Sequence, residues 1–303
     1  MALKAFGKAC VSGVFSFGAG TAVTSVRQHL VRQGGDGRRS VASGWERESF
    51  RGTAVSLLGG LDVALSALAG ASPLVACSAT RAAGGAAMLA GSVGAIAGYV
   101  DDHLEAKFPA QGKGFRGHLG ALKRGQVTSG LVKIVSIGVG SLGAAAVLAA
   151  SRESARPAMR VGGELMIDAL LIAGTANFIN LLDLRPGRAL KATGLAALPH
   201  VGASTPGSAP LAGSLIGVAL AGLPSDLRGE TMLGDLGANA LGAQFGVLLA
   251  NQKSLPLKAS LLSGVIALTL VSEKVSFSQV ISRNDILRAL DQWGVPGVNS
   301  AGA

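Results

Sequence analysis

The feature that most constrains this chain is a series of apolar runs, each about as long as a lipid bilayer is thick. A helix that crosses a hydrocarbon core of about 30 Å needs roughly 20 mostly apolar residues. Such runs recur along the whole sequence of 303 residues. Hydrophobic residues make up 49% of the chain and charged residues only 15%, a balance that favours a membrane protein over a water-soluble domain.

The runs predict an all-α fold, a polytopic integral membrane helical bundle with about nine transmembrane helices. The predicted spans are approximately residues 5–26, 54–76, 83–100, 127–150, 161–180, 189–203, 209–223, 236–251 and 257–272. No stretch has the composition of a linker between domains, so residues 1–303 are interpreted as a single membrane domain. Residues 272–303 mix apolar and charged positions at nearly helical spacing. They predict either an amphipathic cytoplasmic tail on the membrane surface or a helix packed against the bundle.

Glycine pairs four residues apart mark several of these spans. Small residues at this spacing let neighbouring transmembrane helices approach closely. We therefore predict close helix packing at three pairs, which are Gly94 with Gly98, Gly213 with Gly217, and Gly242 with Gly246.

Lysine and arginine are concentrated in every second loop, beginning with the loop between the first two spans. The positive-inside rule predicts that these loops are cytoplasmic, which places the N-terminus outside and the C-terminus inside. The net charge of +10 then lies mainly on the cytoplasmic face, where it suits anionic headgroups or a phosphorylated substrate. The basic loops hold few aromatic residues on which bases could stack, so nucleic acid is not expected as a partner.

Acidic residues recur on the same predicted face. An ionised aspartate at the end of a membrane helix is costly unless it reaches water, a partner or a metal, so such residues are functional candidates. A solvated helix end is the plain alternative. The acidic segments and their amide neighbours are, in chain order, Asp101 with Asp102, then Asn177, Asn180 and Asp183 spaced three apart, then Asp235 at the start of a helix.

The combination of these side chains predicts a particular kind of site. Aspartate and amide oxygens are hard ligands that suit Mg²⁺, with Mn²⁺ as an alternative, better than they suit zinc. Arginine and lysine beside such a metal would bind a polyanion, most simply a diphosphate. At a lipid–water boundary, this chemistry fits transfer between a soluble nucleotide and a lipid phosphate.

Four segments carry a resemblance to a known family. "RGTAVSLLGG" (51–60), "GYVDD", "NFINLLD" and "GDLGANALG" together resemble the polyprenyl-phosphate sugar-1-phosphate transferases, of which this chain would be a divergent member. That superfamily includes the phospho-N-acetylmuramoyl-pentapeptide transferase and the transferases that load N-acetylglucosamine-1-phosphate onto a polyprenyl phosphate. The resemblance implies transfer of a sugar-1-phosphate from a UDP-sugar, foremost a UDP-N-acetylhexosamine, to polyprenyl phosphate, with UMP leaving. It further implies Mg²⁺ as cofactor, cytoplasmic active-site loops and a role in bacterial cell-envelope polysaccharide synthesis.

The resemblance also implies roles for individual residues. Catalytic roles fall to Asp101, Asp102 and Asp183, and metal binding to Asp235 and Asp102. The expected substrate contacts are Asn177, Asn180, Arg116, His118, Lys123, Arg185 and Arg188. The expected partners are a UDP-sugar, a polyprenyl phosphate lipid and the membrane, with a second copy of the chain or other envelope-synthesis proteins left open. The composition, rich in alanine, glycine and arginine, favours the bacterial plasma membrane as the location.

The sequence departs from the family pattern at three places. The middle motif continues as Leu184-Arg185-Pro186, without the second carboxylate that the family usually has, and Ala238 replaces a common serine. The family's late histidine-rich loop is absent. A catalytically inactive relative that acts as a membrane scaffold or regulator of envelope synthesis therefore remains an alternative. A transporter is a third, less favoured because the acids lie at a membrane face and not at its midplane.

Overall fold

The computed structural model describes residues 2–33, 44–49, 52–108, 114–152 and 157–296. It is built almost entirely of helices. Short 3₁₀ turns follow two of them, at Glu105–Lys107 and Leu198–His200. The elements are α1 (Ala2–Gln33), β1 (Glu46–Glu48), β2 (Ala54–Ser56), α2 (Leu58–Ala76), α3 (Arg81–Leu104), α4 (Gly114–Lys123), α5 (Ser129–Ala150), α6 (Ala158–Leu182), α7 (Arg188–Ala197), α8 (Ser208–Leu227), α9 (Gly234–Ala250), α10 (Leu255–Ser272), α11 (Phe277–Arg283) and α12 (Asp285–Gln292).

Among the described residues, seven helices are long and apolar enough to cross a membrane: α1, α2, α3, α5, α6, α8 and α10. This confirms an apolar helical bundle suited to a membrane, but not the predicted count of nine spans. The prediction at 236–251 corresponds to α9, whose 17 residues make it shorter than those seven. The prediction at 189–203 corresponds to α7, whose 10 residues extend only about 15 Å. The α-helix ends there because Pro199 lacks the backbone N–H that a longer helix would require.

Helix α9 forms the centre of the bundle. Every residue from Leu236 to Ala250 is buried. Its closest neighbour is α3, because a Cβ on Gly98 would overlap the carbonyl group of Asp235, and one on Gly94 would lie 2.7 Å from the carbonyl oxygen of Asn239. Helix α9 is thus held directly against the helix that ends in Asp101 and Asp102.

The other two glycine pairs also lie at backbone contacts. A Cβ on Gly213 would overlap the carbonyl group of Ala9, which brings α8 against α1. Further along α9, a Cβ on Gly246 would lie 2.6 Å from the Cα of Ile172, and one on Gly242 would lie 2.8 Å from the Cα of Ala176. The predicted close packing is confirmed at all three pairs.

A small antiparallel sheet departs from the purely helical prediction. Strands β1 and β2 pair Glu46 with Ser56. Ser56 also donates its amide to the carbonyl of Glu230 at 3.2 Å and accepts from the amide of Met232 at 3.0 Å. The connection between α1 and α2 is therefore tied to the loop between α8 and α9. Helix α2 therefore starts four residues later than the predicted span 54–76, because residues 54–56 form a strand.

A buried charge network lies at the end of the bundle where α6 and α10 begin. Asp168 on α6 is fully buried and accepts hydrogen bonds from Lys258 at 2.7 Å and from Arg152 at 2.6 Å. Arg152 also donates to the carbonyl of Ala250 at 3.0 Å. Lys258 and Leu262 are the buried residues of α10, so this ion pair contributes much of the attachment of α10 to the bundle.

Candidate functional site

The structure brings the predicted carboxylates together at the first turn of α9. Asp102, near the end of α3, accepts a hydrogen bond from the amide of Leu236 at 3.0 Å. Asp183, directly after α6, accepts from the amide of Gly234 at 2.8 Å. We call Asp101, Asp102, Asp183 and Asp235 the acidic cluster, and the end of the bundle that holds it the acidic end.

The first turn of α9 explains why two of these acids lie where they do. The first amides of a helix have no partner within the helix, and the helix dipole attracts negative charge to them. Leu233 at the N-cap supplies no side-chain hydrogen bond. The carboxylates of Asp102 and Asp183 take this place from neighbouring helices. Gly234 permits the approach of the Asp102 carboxylate, because a Cβ at this position would lie 3.0 Å from Oδ2 of Asp102.

A lysine that the sequence analysis did not select lies between the other two acids. The ammonium group of Lys133, on the second turn of α5, donates to Oδ2 of both Asp101 and Asp235. The Lys133 side chain is only 18% exposed. The signal was present in the sequence, because a lysine inside an apolar span is a functional candidate for the same reason as an aspartate.

Asp183 is the most buried member of the acidic cluster, at 6% exposure. Burial raises the pKa of Asp183 well above its usual range, and the nearby charge of Asp226 raises it further. Asp226 is itself buried and accepts a hydrogen bond from the amide of Gly187. A cation beside these two carboxylates would favour their ionised forms.

The acidic cluster offers the donor type of a Mg²⁺ or Mn²⁺ site but not a preformed arrangement of ligands. In the part of the chain that the structure describes, no three histidine, cysteine, aspartate or glutamate side chains form a preformed metal site. The donor type does fit, because carboxylate oxygens are the ligands that these ions prefer. Asp101 and Asp235 both bond the ammonium of Lys133, so their oxygens already converge on one cationic centre. A divalent ion there would require Lys133 to move, and a metal cofactor stays a prediction.

A cavity of about 520 Å³ opens beside the acidic cluster. Asp183 belongs to both, since it lines the cavity and bonds the first turn of α9. The other walls come from the β1–β2 hairpin and from the loops that follow α6 and α8. The polar residues that line it include Glu48, Thr53, Arg185, Asp226, Arg228 and Thr231.

Three predicted substrate contacts lie near this cavity or on the helix that leads to it. Arg185 lines the cavity wall. Asn177 is exposed and Asn180 half-buried, and both lie in the last two turns of α6 before Asp183. Asn177 and Asn180 do not line the cavity among its described residues, and their contacts with substrate stay predictions.

Helix α4 carries three further predicted contacts. Lys123 is exposed at its last residue. The structure describes the backbone of α4, whereas the side chains of Arg116 and His118 lie outside what it describes. The part of these residues in substrate binding stays a prediction.

Arg188 is engaged within the protein. Its guanidinium donates to both carboxylate oxygens of Asp291 on α12 and to the hydroxyl of Ser278 on α11, the latter at 3.2 Å. Lys191 donates to the carbonyls of Leu290, Asp291 and Trp293, where α12 ends. The C-terminal helices are thus packed against the bundle, one of the two alternatives from the sequence. Substrate binding by Arg188 stays a prediction that would require its pair with Asp291 to open.

Comparison of the sequence with models of known protein families and with curated proteins finds no match. The resemblance to the transferases therefore depends on the short motifs. What the structure contributes is the spatial arrangement of the residues in those motifs.

Proposed function

We propose that this protein transfers a sugar-1-phosphate from a UDP-sugar, foremost a UDP-N-acetylhexosamine, to a polyprenyl phosphate and releases UMP. The observation that carries the proposal is the convergence of four carboxylates from three separate segments on Lys133 and the first turn of α9. This convergence lies at one end of an apolar bundle, where a soluble donor and a lipid acceptor can meet. In this proposal, the acidic end faces the cytoplasm of a bacterial plasma membrane.

The cavity at Asp183 is the proposed site of the donor. Its volume of about 520 Å³ lies within the range typical of small-molecule sites, roughly 300–1,000 Å³. Arg185 and Arg228 place two guanidinium groups in its wall, and the Arg228 guanidinium is paired with Glu230 at 2.6 and 3.0 Å. Guanidinium groups are well suited to bind phosphate oxygens.

The chemistry requires an oxygen of the acceptor phosphate to attack the phosphorus bonded to the sugar. One P–O bond forms there while the P–O bond to UMP breaks, and UMP leaves with its electron pair. Asp102 and Asp235 would hold Mg²⁺, which when bound would neutralise charge on the diphosphate. Lys133 can exchange its carboxylate partners for phosphate oxygens, since its ammonium offers three donors on a flexible stem.

One observation favours the inactive relative as a second candidate. Each acid of the cluster already has a partner inside the protein, which is Lys133 for Asp101 and Asp235 and a backbone amide for Asp102 and Asp183. A structural role would account for these contacts without any substrate. In that case the acids stabilise the first turn of α9, and the protein acts as a membrane scaffold or regulator.

A radiolabel transfer assay separates the two candidates. Purified protein with Mg²⁺ and undecaprenyl phosphate is offered UDP-N-acetylglucosamine and then other UDP-sugars. We expect label in the lipid phase with the wild type, and at least a hundredfold less with Asp235→Asn or Asp101→Asn, about the effect of losing 3 kcal/mol of transition-state stabilisation. Asp285→Asn is the control, since this side chain is 87% exposed on α12. Folded wild-type protein that transfers label from no donor would favour the scaffold.

A further inference from the structure

A second cavity, of about 720 Å³, lies between the end of α1 and the start of α2. We call it the α1–α2 cleft. Val26 and Leu30 on α1 and Leu65 on α2 line it and are also 45–59% exposed, so the cleft opens towards the outside of the bundle. Its other apolar walls come mainly from Val23, Leu58 and Leu61.

Close helix packing bounds the cleft on the side towards the middle of the bundle. A Cβ on Gly20 would lie 2.6 Å from the Cβ of Ala221 and 3.1 Å from the hydroxyl of Ser66, so α1 is in contact with α8 and α2 at that level. The cavity begins only two residues later, at Ala22. The cleft is therefore confined to the acidic end, which is also the end where the proposed chemistry takes place.

Among the lining residues that the structure describes, the cleft holds one ion pair. Nε of Arg27 donates to Oδ2 of Asp62 at 2.8 Å, and both side chains line the cleft. They are only 17% and 7% exposed. A guanidinium in an apolar cleft at a membrane surface is complementary to a lipid that combines a hydrocarbon chain with an anionic head.

Trp45 connects the cleft to the acidic cluster. It lines the cleft, and its ring lies 4.3 Å from the ring of His103 and 5.9 Å from that of Tyr99, measured between centroids. Both partners belong to the last turns of α3, on either side of Asp101 and Asp102 along the chain. A lipid chain in the cleft would therefore place its head group next to the helix end that carries the first two acids.

We propose that the α1–α2 cleft binds the head-proximal isoprene units of a polyprenyl phosphate, with Arg27 directing the phosphate towards the acidic cluster. The proposal rests on the proposed function, because it gives a location to the acceptor of that reaction. Arg27 is the one cation among the described residues that line the cleft, and a single chain with a phosphate monoester matches it and the route past Trp45. A bulk phospholipid that merely fills the cleft is the outcome that the experiment must exclude.

Photolabelling tests the binding directly. The protein is placed in nanodiscs of phosphatidylcholine and phosphatidylglycerol, with undecaprenyl phosphate that carries a diazirine on its first isoprene units. We expect label on residues 22–31 and 58–65 after irradiation, removed by an excess of unlabelled undecaprenyl phosphate but not by undecaprenol or added phosphatidylglycerol. Label that phosphatidylglycerol removes equally well, or label spread evenly over the outer helices, would overturn the proposal.

Two substitutions on α1 sharpen the test. Val26→Trp places a large ring in the cleft, whereas Val14→Trp places it on an outward face, since Val14 is 74% exposed. We expect Val26→Trp to reduce cleft labelling about tenfold through lost apolar contact, and Val14→Trp to leave it unchanged. Equal labelling of both variants would contradict the proposal.

A charge-neutral variant tests the role of Arg27. The double variant Arg27→Gln/Asp62→Asn replaces the ion pair with neutral groups of similar size and leaves no charge buried alone. We expect excess undecaprenol to remove label from this variant as well as undecaprenyl phosphate does, because selection for the phosphate is lost. Retained selection would contradict the part assigned to Arg27.

The labelling outcome does not depend on catalysis. Selective labelling of the cleft in a protein that transfers nothing would support the lipid site and oppose the proposed reaction. Transfer that proceeds with an unchanged KM for undecaprenyl phosphate in Val26→Trp would oppose the cleft alone.

Discussion

Arg188 and Asp291 lie 103 positions apart in the chain and form a two-pronged ion pair, with Nε–Oδ1 at 2.7 Å and Nη2–Oδ2 at 3.0 Å. Such parallel hydrogen bonds are among the strongest contacts that side chains make. Arg188 directly follows Gly187, whose amide bonds Asp226 in the wall of the cavity. The pair therefore connects the C-terminal helices to the proposed donor site.

Asp291→Asn tests how much this ion pair stabilises the folded protein. Arg188 is 6% exposed and would lose its charge partner. We expect the free energy of unfolding to fall by about 2–3 kcal/mol, because an unpaired buried charge is costly. Thermal unfolding in detergent, followed by intrinsic fluorescence, measures the effect. Asp285→Asn serves as the control and should change stability by less than about 1 kcal/mol, because its pair with Arg288 is exposed. An equal loss in both variants would contradict the prediction.

Gly98→Ala tests the contact between α3 and α9. The added methyl group would overlap the carbonyl of Asp235, so the two helices must separate near the acidic cluster. We expect transfer activity to fall at least tenfold, because a misplacement of about 1 Å is costly in catalysis. Gly138→Ala on α5 is the matched control, since nothing lies within 4 Å of its Cβ position. Full activity in Gly98→Ala would mean that the contact does not position the acids.

Lys133→Met tests whether the ammonium occupies a place that a metal could take. Its removal leaves Asp101 and Asp235 without their shared cation, so we expect Mn²⁺ to bind about tenfold more tightly. Electron paramagnetic resonance of added Mn²⁺ measures the binding without substrate. Lys123→Met, an exposed lysine on α4, should behave as wild type. Equal Mn²⁺ binding by wild type, Lys133→Met and Asp235→Asn would place the metal elsewhere.

Asp168 and Lys258 offer a double-mutant cycle at the other end of the bundle. Lys258→Met removes one of the two cations that pair with Asp168, and we expect a loss of about 3 kcal/mol in stability. Adding Asp168→Asn should cost less than the sum of the single changes, since the two side chains are in contact. Thermal unfolding in detergent measures all four proteins, with the exposed Lys253→Met as control. Additive losses would show that the pair contributes no coupling.

Local spacing made part of this structure predictable. The glycine pairs and the three acidic segments each occupy a few consecutive turns, so the sequence alone shows which residues share a helix face. Counting the spans predicts that these segments meet at one end of the bundle. This holds although the structure has fewer long helices than predicted, because α7, its 3₁₀ turn and the following loop together cross the bundle in place of one span. Successive crossings of the bundle therefore still alternate in direction, which places Asp183 and Asp235 at the same end.

Contacts between distant segments were not predictable in the same way. Nothing near Arg188 in the sequence indicates its partner on α12, so the sequence predicts a substrate contact and not this ion pair. Lys133 was missed because the apolar residues around it dominate that stretch. The strand pairing of Glu46 with Ser56 involves too few residues to give an alternating pattern.

The ion pair between Asp168 and Lys258 also bears on how the chain is assembled during synthesis. Helix α6 is synthesised before α10. At that stage Arg152, 16 positions before Asp168 in the chain, has been made, but Lys258 has not. The second cation reaches Asp168 only after α10 has been made, so full pairing of this buried carboxylate is a late event in the assembly of the bundle.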